Sequence, residues 1–489
     1  MRKEESRRAA GRRVKHLFAM RRSLSTAPPA AIAKHFAGRY ALGKNKTPCS
    51  VKAGLNFTSG DGVTRVVGAA CSEVLGGANL AALLRPGFEL EQRAMAALAN
   101  GAPAEVLSIH TSAGVPEQLP SFIDALGPHV PGGGDWCVNL QAEGASAVHA
   151  AIDMVLTSTG ASADGTKGVA VGQTSYHGPA STSPGGSAPL GRRAKGLTLD
   201  AQYPVPTPFF RHKGEPDAEF HGRKLAEFEL YLQQHAHEIG VLLIEPQWGS
   251  SAAAMPWPRD LLDSYVRAAK AHGVPVISDE VMCGLGRHGL DPAPGSDGTG
   301  CFLAEVWGLD VDALTFGKAI GGGAGHLLSG AVLLSTASQL KSTPHGTALQ
   351  SHTYAGASSR ALLNGTMLLD ALESWRPSVQ TIGSTIGAIL SELEEASGGA
   401  VVCHGMGAKW GGLFTHEDPA ARAIADADFR IRCAQRKVLP YFFPESGFML
   451  TPRYDDDPDL LGEAVRDLAQ CALETTREMG WPKASLVSR

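Results

Sequence analysis

The chain has 489 residues, 43% of them hydrophobic, and sets 44 Lys and Arg against 48 Asp and Glu for a net charge of −4. That apolar content suits two or three packed domains, and so balanced a charge argues against nucleic acid as a partner. No apolar run reaches the roughly 18 residues of a transmembrane helix, and the eight cysteines include no C-x-x-C pair, so no membrane span, disulfide framework or metal site is expected.

In chain order, residues 1–45 form a basic leader. From Met20 to Gly60 there is no Asp or Glu, while Arg21, Arg22, Lys34, Arg39 and Lys44 occur among Ser and Thr. This is the composition of an organelle transit peptide, with Met20 as an alternative start; a disordered basic tail is the plainer reading. A mitochondrial location is expected, with plastid and cytoplasm as alternatives. Leu80–Leu98 carries helical stretches on either side of Pro86 and Gly87, and Ala145–Leu156 has helical spacing after a glycine. Val169–Val171 and Val241–Ile244 read as short buried strands. Arg259–His272 reads as an amphipathic helix running into a strand at Val274–Ser278, and Ala313–Phe316 and Gly330–Leu334 as further strands. Strands alternating with helices imply an α/β domain with a mostly parallel sheet, placed at 100–354. Beyond it, Ala361–Trp375 and Thr381–Ala396 are two long helical stretches. Ala400–Cys403 and Gly411–Thr415 are strand-like, and a last helix runs near Leu460–Met479. These make a separate α+β C-terminal lobe at 355–489.

Two segments carry chemistry. In the first, the apolar strand from Val274 ends in Ser278-Asp279-Glu280. Ligands of open α/β sheets bind beyond the carboxyl ends of the strands. A carboxylate there can meet a cationic group such as the pyridinium nitrogen of pyridoxal 5′-phosphate (PLP), which it keeps protonated. Taken alone, Asp279 also fits a residue that caps the following turn. In the second segment, Asp312–Gly323, an apolar strand leads to Lys318 and then a run of Gly and Ala. Most lysines are solvated surface groups. An amine at an apolar strand end, before residues small enough to admit a ligand, is placed to form an imine.

With both segments in hand, the chain resembles the class III (ω-type) aminotransferases of the fold-type I PLP enzymes over about residues 50–480. The matching pieces occur in that family's order: AEGASAVHAAI at 142–152, SYHG at 175–178, LLIEP at 242–246, SDEVMCGLGRHG at 278–289, TFGKAIGGG at 315–323 and HTYAG at 352–356. The resemblance implies a large PLP-binding domain of mostly parallel mixed sheet and a smaller α+β C-terminal lobe. It also implies a segment at 46–99 that joins the small lobe and the dimer interface. Lys318 matches the Schiff-base lysine and Asp279 the pyridinium partner. Val281 and Tyr176 match the residues on the two faces of the ring, and His177 follows as in the family's Y-H-G. Gly144 and Ala145 match the phosphate-binding turn, Glu245 the acid of the E-P motif, and Thr353 a threonine that reaches the phosphate of the neighbouring subunit. A homodimer with composite sites is implied.

Some positions depart from the family pattern. Glu143 stands where a Ser usually precedes the phosphate-turn glycine, and Met282 where Gln is common. Ser250 and Met449 occupy the places of a Glu–Arg pair that binds substrate carboxylate, with Arg453 near enough in sequence to substitute. Asp279 and Lys318 are 39 positions apart, a longer gap than expected, and the excess is placed in the loop at 291–300. Trp248 and Met449 suggest an apolar pocket and hence an ω-amine or unusual amino acid donor. The expected activity is ping-pong transfer of an amino group from an amine or amino acid to an oxo acid. An aminomutase of the glutamate-1-semialdehyde type and a catalytically weakened paralogue with a structural role are the alternatives.

Overall fold

The computed structural model describes residues 50–481 apart from 52–55, 60–61, 69–70, 105–113, 133, 161–166, 173–174, 179–201, 209–213, 296–297, 323–326, 343–357 and 444–446. The leader at 1–45, including Met20, and the whole of the 352–356 motif, including Thr353, lie outside the described residues.

The N-terminal strands β1 (Ser50–Val51), β2 (Asn56–Ser59) and β3 (Gly62–Val66) precede helix α1 (Gly77–Ala99). Helix α1 runs unbroken through Pro86, where the sequence suggests two pieces. An interior proline forfeits one hydrogen bond and strains the preceding turn. Packing outweighs that cost. Leu83, Leu90 and Ala94 are buried, and a Cβ at Gly87 would stand 2.8 Å from Arg360 Cγ and 2.9 Å from Asn364 Oδ1, so only glycine admits so close an approach.

Short α2 (Leu119–Leu126) leads to β4 (Cys137–Gln141), α3 (Gly144–Ser158), β5 (Gly168–Gly172), β6 (Gln202–Val205), α4 (Asp217–His235), β7 (Ile239–Ile244) and α5 (Arg259–Ala271). Then follow β8 (Val276–Asp279), α6 (Leu303–Trp307), β9 (Ala313–Phe316), β10 (Ser329–Leu333) and α7 (Ala337–Ser342). Strands β4 to β10 form one seven-stranded sheet in the order β4-β10-β9-β8-β7-β5-β6. Strands β5 to β9 are mutually parallel, and β10 runs antiparallel to both neighbours. Sheets of this kind are covered on both faces, so their strands read as continuous apolar runs. In β7, Val241 and Leu243 pack with Val148, Val155 and Ile152 of α3, while Leu242 and Ile244 pack with Phe228 of α4 and Leu261 and Tyr265 of α5.

Beyond this sheet, α8 (Ser359–Ala396) is one 38-residue helix containing Pro377, where the sequence suggests two. Its start is fixed by Ser358, whose hydroxyl accepts the Ala361 N–H at 3.1 Å. Strands β11 (Val401–Met406) and β12 (Lys409–Phe414) follow, then α9 (Pro419–Gln435), β13 (Val438–Leu439), β14 (Tyr441–Phe443), β15 (Gly447–Leu450) and α10 (Pro458–Glu478). Strands β11-β12-β15-β14 form an antiparallel sheet. Leu368, Ile382 and Leu390 of α8, Phe429 of α9 and Leu468 of α10 share one core with Val401, Phe414 and Phe448 of that sheet. The early strand β3 pairs with β13 through Arg65 and Val438, which ties the first described residues to the last third of the chain. No helix among the described residues is long and apolar enough to cross a membrane.

Candidate functional site

The parallel strands all end at one edge of the large sheet, and the sequence-predicted residues collect there. Gly144 opens α3 just after β4, Tyr176 and His177 follow β5, Glu245 follows β7, Asp279 ends β8 and Lys318 follows β9. That edge is where an open α/β sheet binds ligands.

Asp279 is its electrostatic centre. The side chain is buried, and its Oδ2 lies 2.7 Å from His177 Nδ1. Its Oδ1 accepts the Val281 N–H at 3.2 Å and the Thr315 hydroxyl at 3.0 Å. Burial alone would raise the carboxyl's pKa; the His177 hydrogen bond and charge more than offset it, so the group is held below its usual range. Burial likewise pushes His177 down, and its bond to Asp279 brings it out above the usual imidazole value. Both shifts favour the charged forms, so the pair supports an ionised Asp279 beside a His177 drawn toward its protonated form.

Val281 links this centre to the lysine. A Cβ on Gly144 would stand 2.5 Å from Val281 Cγ1, and one on Gly317 would stand 3.1 Å from the same methyl. The start of α3, the Val281 side chain and the backbone just before Lys318 thus converge. Lys318 itself is half-buried and has φ of +40°, a left-handed conformation that costs a non-glycine residue about 1–3 kcal/mol. A Lys held so by its surroundings points to a position fixed for a purpose. Ala145 continues the first turn of α3, whose free N–H groups favour an anion. Glu143 precedes it as the N-cap; it is exposed, and its side chain makes no capping bond.

Glu245 is buried and bridges two backbone segments, accepting the Tyr176 N–H at 2.9 Å and the Gly249 N–H at 3.2 Å. Three positions differ from expectation or sharpen it. Trp248 is fully buried, stacks on Trp257 with ring centroids 5.0 Å apart and packs with the α4/α5 core. Arg453 is buried against Asp456, with Nη2 to Oδ1 at 2.9 Å, so a structural ion pair occupies it and it is no free substitute for a carboxylate-binding arginine. Met449 is fully buried with Ala253, Ala254 and Leu413 at the contact between the two sheets' regions, and Met282 borders that cluster.

Sequence reasoning did not single out Thr315, Gly317 or Lys409. Thr315 faces Asp279 through the β8/β9 register, which spacing alone does not reveal. Lys409 had a signal: it is the lone charge in the run Ala408 to Phe414, and it proves to be fully buried. Among the described residues no group of His, Cys, Asp and Glu is arranged to hold a metal.

Residues 93–427 match the family described as aminotransferase class-III. Gamma aminobutyrate transaminase 3, chloroplastic, of Solanum lycopersicum is 28% identical over 163 residues, 31% of this chain and 29% of that protein. Glutamate-1-semialdehyde 2,1-aminomutase of Hyperthermus butylicus is 27% identical over 198 residues, 39% of this chain and 41% of that protein. The matched stretches thus span less than half the length of these curated relatives. The solved PMP-bound form of an aminotransferase from Vibrio fluvialis shares the fold, with a TM-score of 0.77 at 15% identity over 93% of this chain and 99% of that one.

Proposed function

This chain belongs to the class-III aminotransferases, and from that premise we propose that it moves an amino group from an amine or amino acid to an oxo acid in a ping-pong exchange on PLP. Its fold is that of the fold-type I PLP-dependent transferases. The observation that carries the reading is the meeting of an ionised, His-paired Asp279 and the strained Lys318 at adjoining strand ends, joined through Val281.

The residues present fit the cofactor. Asp279 offers a carboxylate kept charged in spite of burial, the partner a protonated ring nitrogen needs. Gly144 and Gly317 let the Val281 side chain lie close against both backbones, where a Cβ would not fit. The N-terminus of α3, with Gly144 and Ala145, suits the phosphate. When bound, PLP draws electrons from the substrate's Cα–H bond and so eases proton removal there. With the cofactor in place, the Lys318 amine would hold its aldehyde carbon and, when free, would take up and return the proton at the substrate's Cα. His177 favours the ionised form of Asp279, Glu245 fixes the Tyr176 backbone, and the Tyr176 ring would cover one face of the bound ring.

Ser250 and the buried Met449 supply no charge where the family pattern pairs Glu with Arg, which supports an ω-amine or unusual amino acid as donor. We propose likewise a homodimer in which Thr353 reaches the neighbouring subunit's phosphate, and mitochondrial import directed by the basic leader, whose stretch from Met20 onward lacks acidic residues. Sedimentation tests the first and a fluorescent fusion of the full chain the second. The likeness to an aminomutase sustains one other reading. A mutase turns over without an external oxo acid, and a transaminase does not.

The decisive test mixes the PLP-loaded protein with single amines and amino acids and follows conversion to the pyridoxamine form. The absorbance of lysine-bound cofactor should be present in the wild type and absent in Lys318→Ala. A colourless protein that cannot be reconstituted with PLP would overturn the proposal.

A further inference from the structure

Thr315 and Asp279 stand opposite each other near the ends of β9 and β8, and they are joined twice. The Thr315 carbonyl accepts the Glu280 N–H at 3.2 Å, and the Thr315 hydroxyl donates to Asp279 Oδ1 at 3.0 Å. Thr315 is fully buried, and among the described residues Asp279 is the one partner of its hydroxyl. A valine would fill the same space with no polar group to satisfy, and burying a hydroxyl is unfavourable unless it is bonded. The hydroxyl therefore calls for a reason beyond packing.

The lone pairs of Asp279 supply one. An ionised carboxylate offers about four acceptor positions, two on each oxygen. Oδ1 takes both the Thr315 hydroxyl and the Val281 N–H, at 3.0 and 3.2 Å. Among the described residues Oδ2 takes only His177 Nδ1, at 2.7 Å. One position is thus left, and it lies on Oδ2. The terminal torsion of an aspartate is soft, so the donors around it decide which oxygen faces a ligand. Resting on the aminotransferase reading, we infer that Thr315 is a positioning residue: together with the Val281 N–H it fills Oδ1, so that Oδ2 alone meets the cofactor's ring N–H. The Val281 bond cannot do this by itself, since one donor on each oxygen leaves a position open on both. Thr315 also lies three positions before Lys318, on the strand that leads to it. One strand thereby sets both the carboxylate that faces the ring nitrogen and the amine that holds the aldehyde carbon.

The test uses the full-length protein as wild type, Thr315→Val, Thr315→Ser, Asp279→Ala and Thr315→Val combined with Asp279→Ala. Two ligands are titrated: PLP, and its analogue with a C–H in place of the ring nitrogen. Thr315→Val should weaken PLP binding about two- to tenfold, the scale of one side chain left to be ordered on binding. The analogue has no N–H to direct, so its affinity should be equal in wild type and Thr315→Val. Thr315→Ser keeps the hydroxyl and should bind PLP as the wild type does. Urea unfolding of the cofactor-free proteins reads the contact itself. Thr315→Val should lower the midpoint in the wild-type background and leave it level or raised in the Asp279→Ala background, where the hydroxyl has lost its acceptor. PLP affinity unchanged in Thr315→Val, an equal loss for PLP and the analogue, or a serine variant as weak as the valine one would overturn the inference. Equal midpoint losses in both backgrounds would do the same. Wild-type protein that binds neither ligand would instead sink the aminotransferase reading and the role given to Oδ2 with it, while the unfolding series still decides whether Thr315 holds Asp279.

Discussion

Replacing His177 by Phe tests the electrostatic centre of the site. In the wild type the Asp279 carboxylate is stabilised by three contacts: His177 at 2.7 Å, the Thr315 hydroxyl at 3.0 Å and the Val281 N–H at 3.2 Å. Phe removes the only one that carries charge. Breaking a buried pair by deleting one partner costs about 3–5 kcal/mol, and the two surviving hydrogen bonds place the expected loss near 3 kcal/mol, the low end of that range. The pH dependence has a defined sign. Asp279 is lowered, so its contribution is present above the ordinary carboxyl value of 3.8 and is lost as pH falls through the folded value. His177 is raised, so its contribution is complete below 6.5 and is lost as pH rises through the folded value. The gap between wild type and His177→Phe should therefore be widest between those two values and narrow on either side. Urea unfolding of the cofactor-free proteins at a series of pH values measures it. Saturating PLP should shrink the gap, since its ring nitrogen brings a cation to the same carboxylate. A gap under about 1 kcal/mol, the worth of a neutral hydrogen bond, or one that does not vary with pH, would refute the ion pair.

Gly144→Ala would press a methyl into Val281, and overpacking of this kind costs about 1–3 kcal/mol; PLP titration should show a correspondingly weaker site, whereas unchanged affinity would separate the Gly144–Val281 contact from the cofactor wall. Glu143→Ser removes a carboxylate beside the phosphate turn and supplies a helix cap worth about 1 kcal/mol, so both PLP affinity and thermal stability should rise. Glu280 accepts the Leu303 and Ala304 N–H groups at 2.6 and 2.8 Å, and burial pushes its carboxyl up to about 7. A raised acid stabilises below its unfolded value and loses that contribution as pH rises through its folded one, here a span of about 3 kcal/mol. Stability of the wild type should fall between pH 5 and 8, and Glu280→Gln should flatten that slope in urea unfolding.

The strand ends that carry the candidate residues were more legible than the paths of the helices. Asp279 and Lys318 could be read because each ends an apolar strand, and burial of both sheet faces makes such strands short continuous runs with an abrupt polar stop. Ala313–Phe316 and Arg259–Ala271 fall almost where hydrophobic periodicity puts them. Helices α4 and α9 escaped notice because their charged faces dilute the apolar period. The helices through Pro86 and Pro377 were read as broken, since proline acts locally while the packing that overrides it is made with residues far along the chain. For the same reason Thr315 could not be assigned from sequence: it acquires its role from a partner on another strand.

The pairing of β3 with β13 has a consequence for how the molecule is made. Arg65 also donates to the Arg436 carbonyl across 371 positions of sequence. At synthesis rates of roughly 5–20 residues per second, β3 waits about 20–70 s for its partner strand to be made. Throughout that interval its edge is an open template for other chains, and contacts so distant in sequence also slow folding. Yield of the active protein should thus depend on chaperone supply and growth temperature more than its finished stability would suggest, and truncation ahead of β13 should leave an aggregating product rather than a smaller folded one.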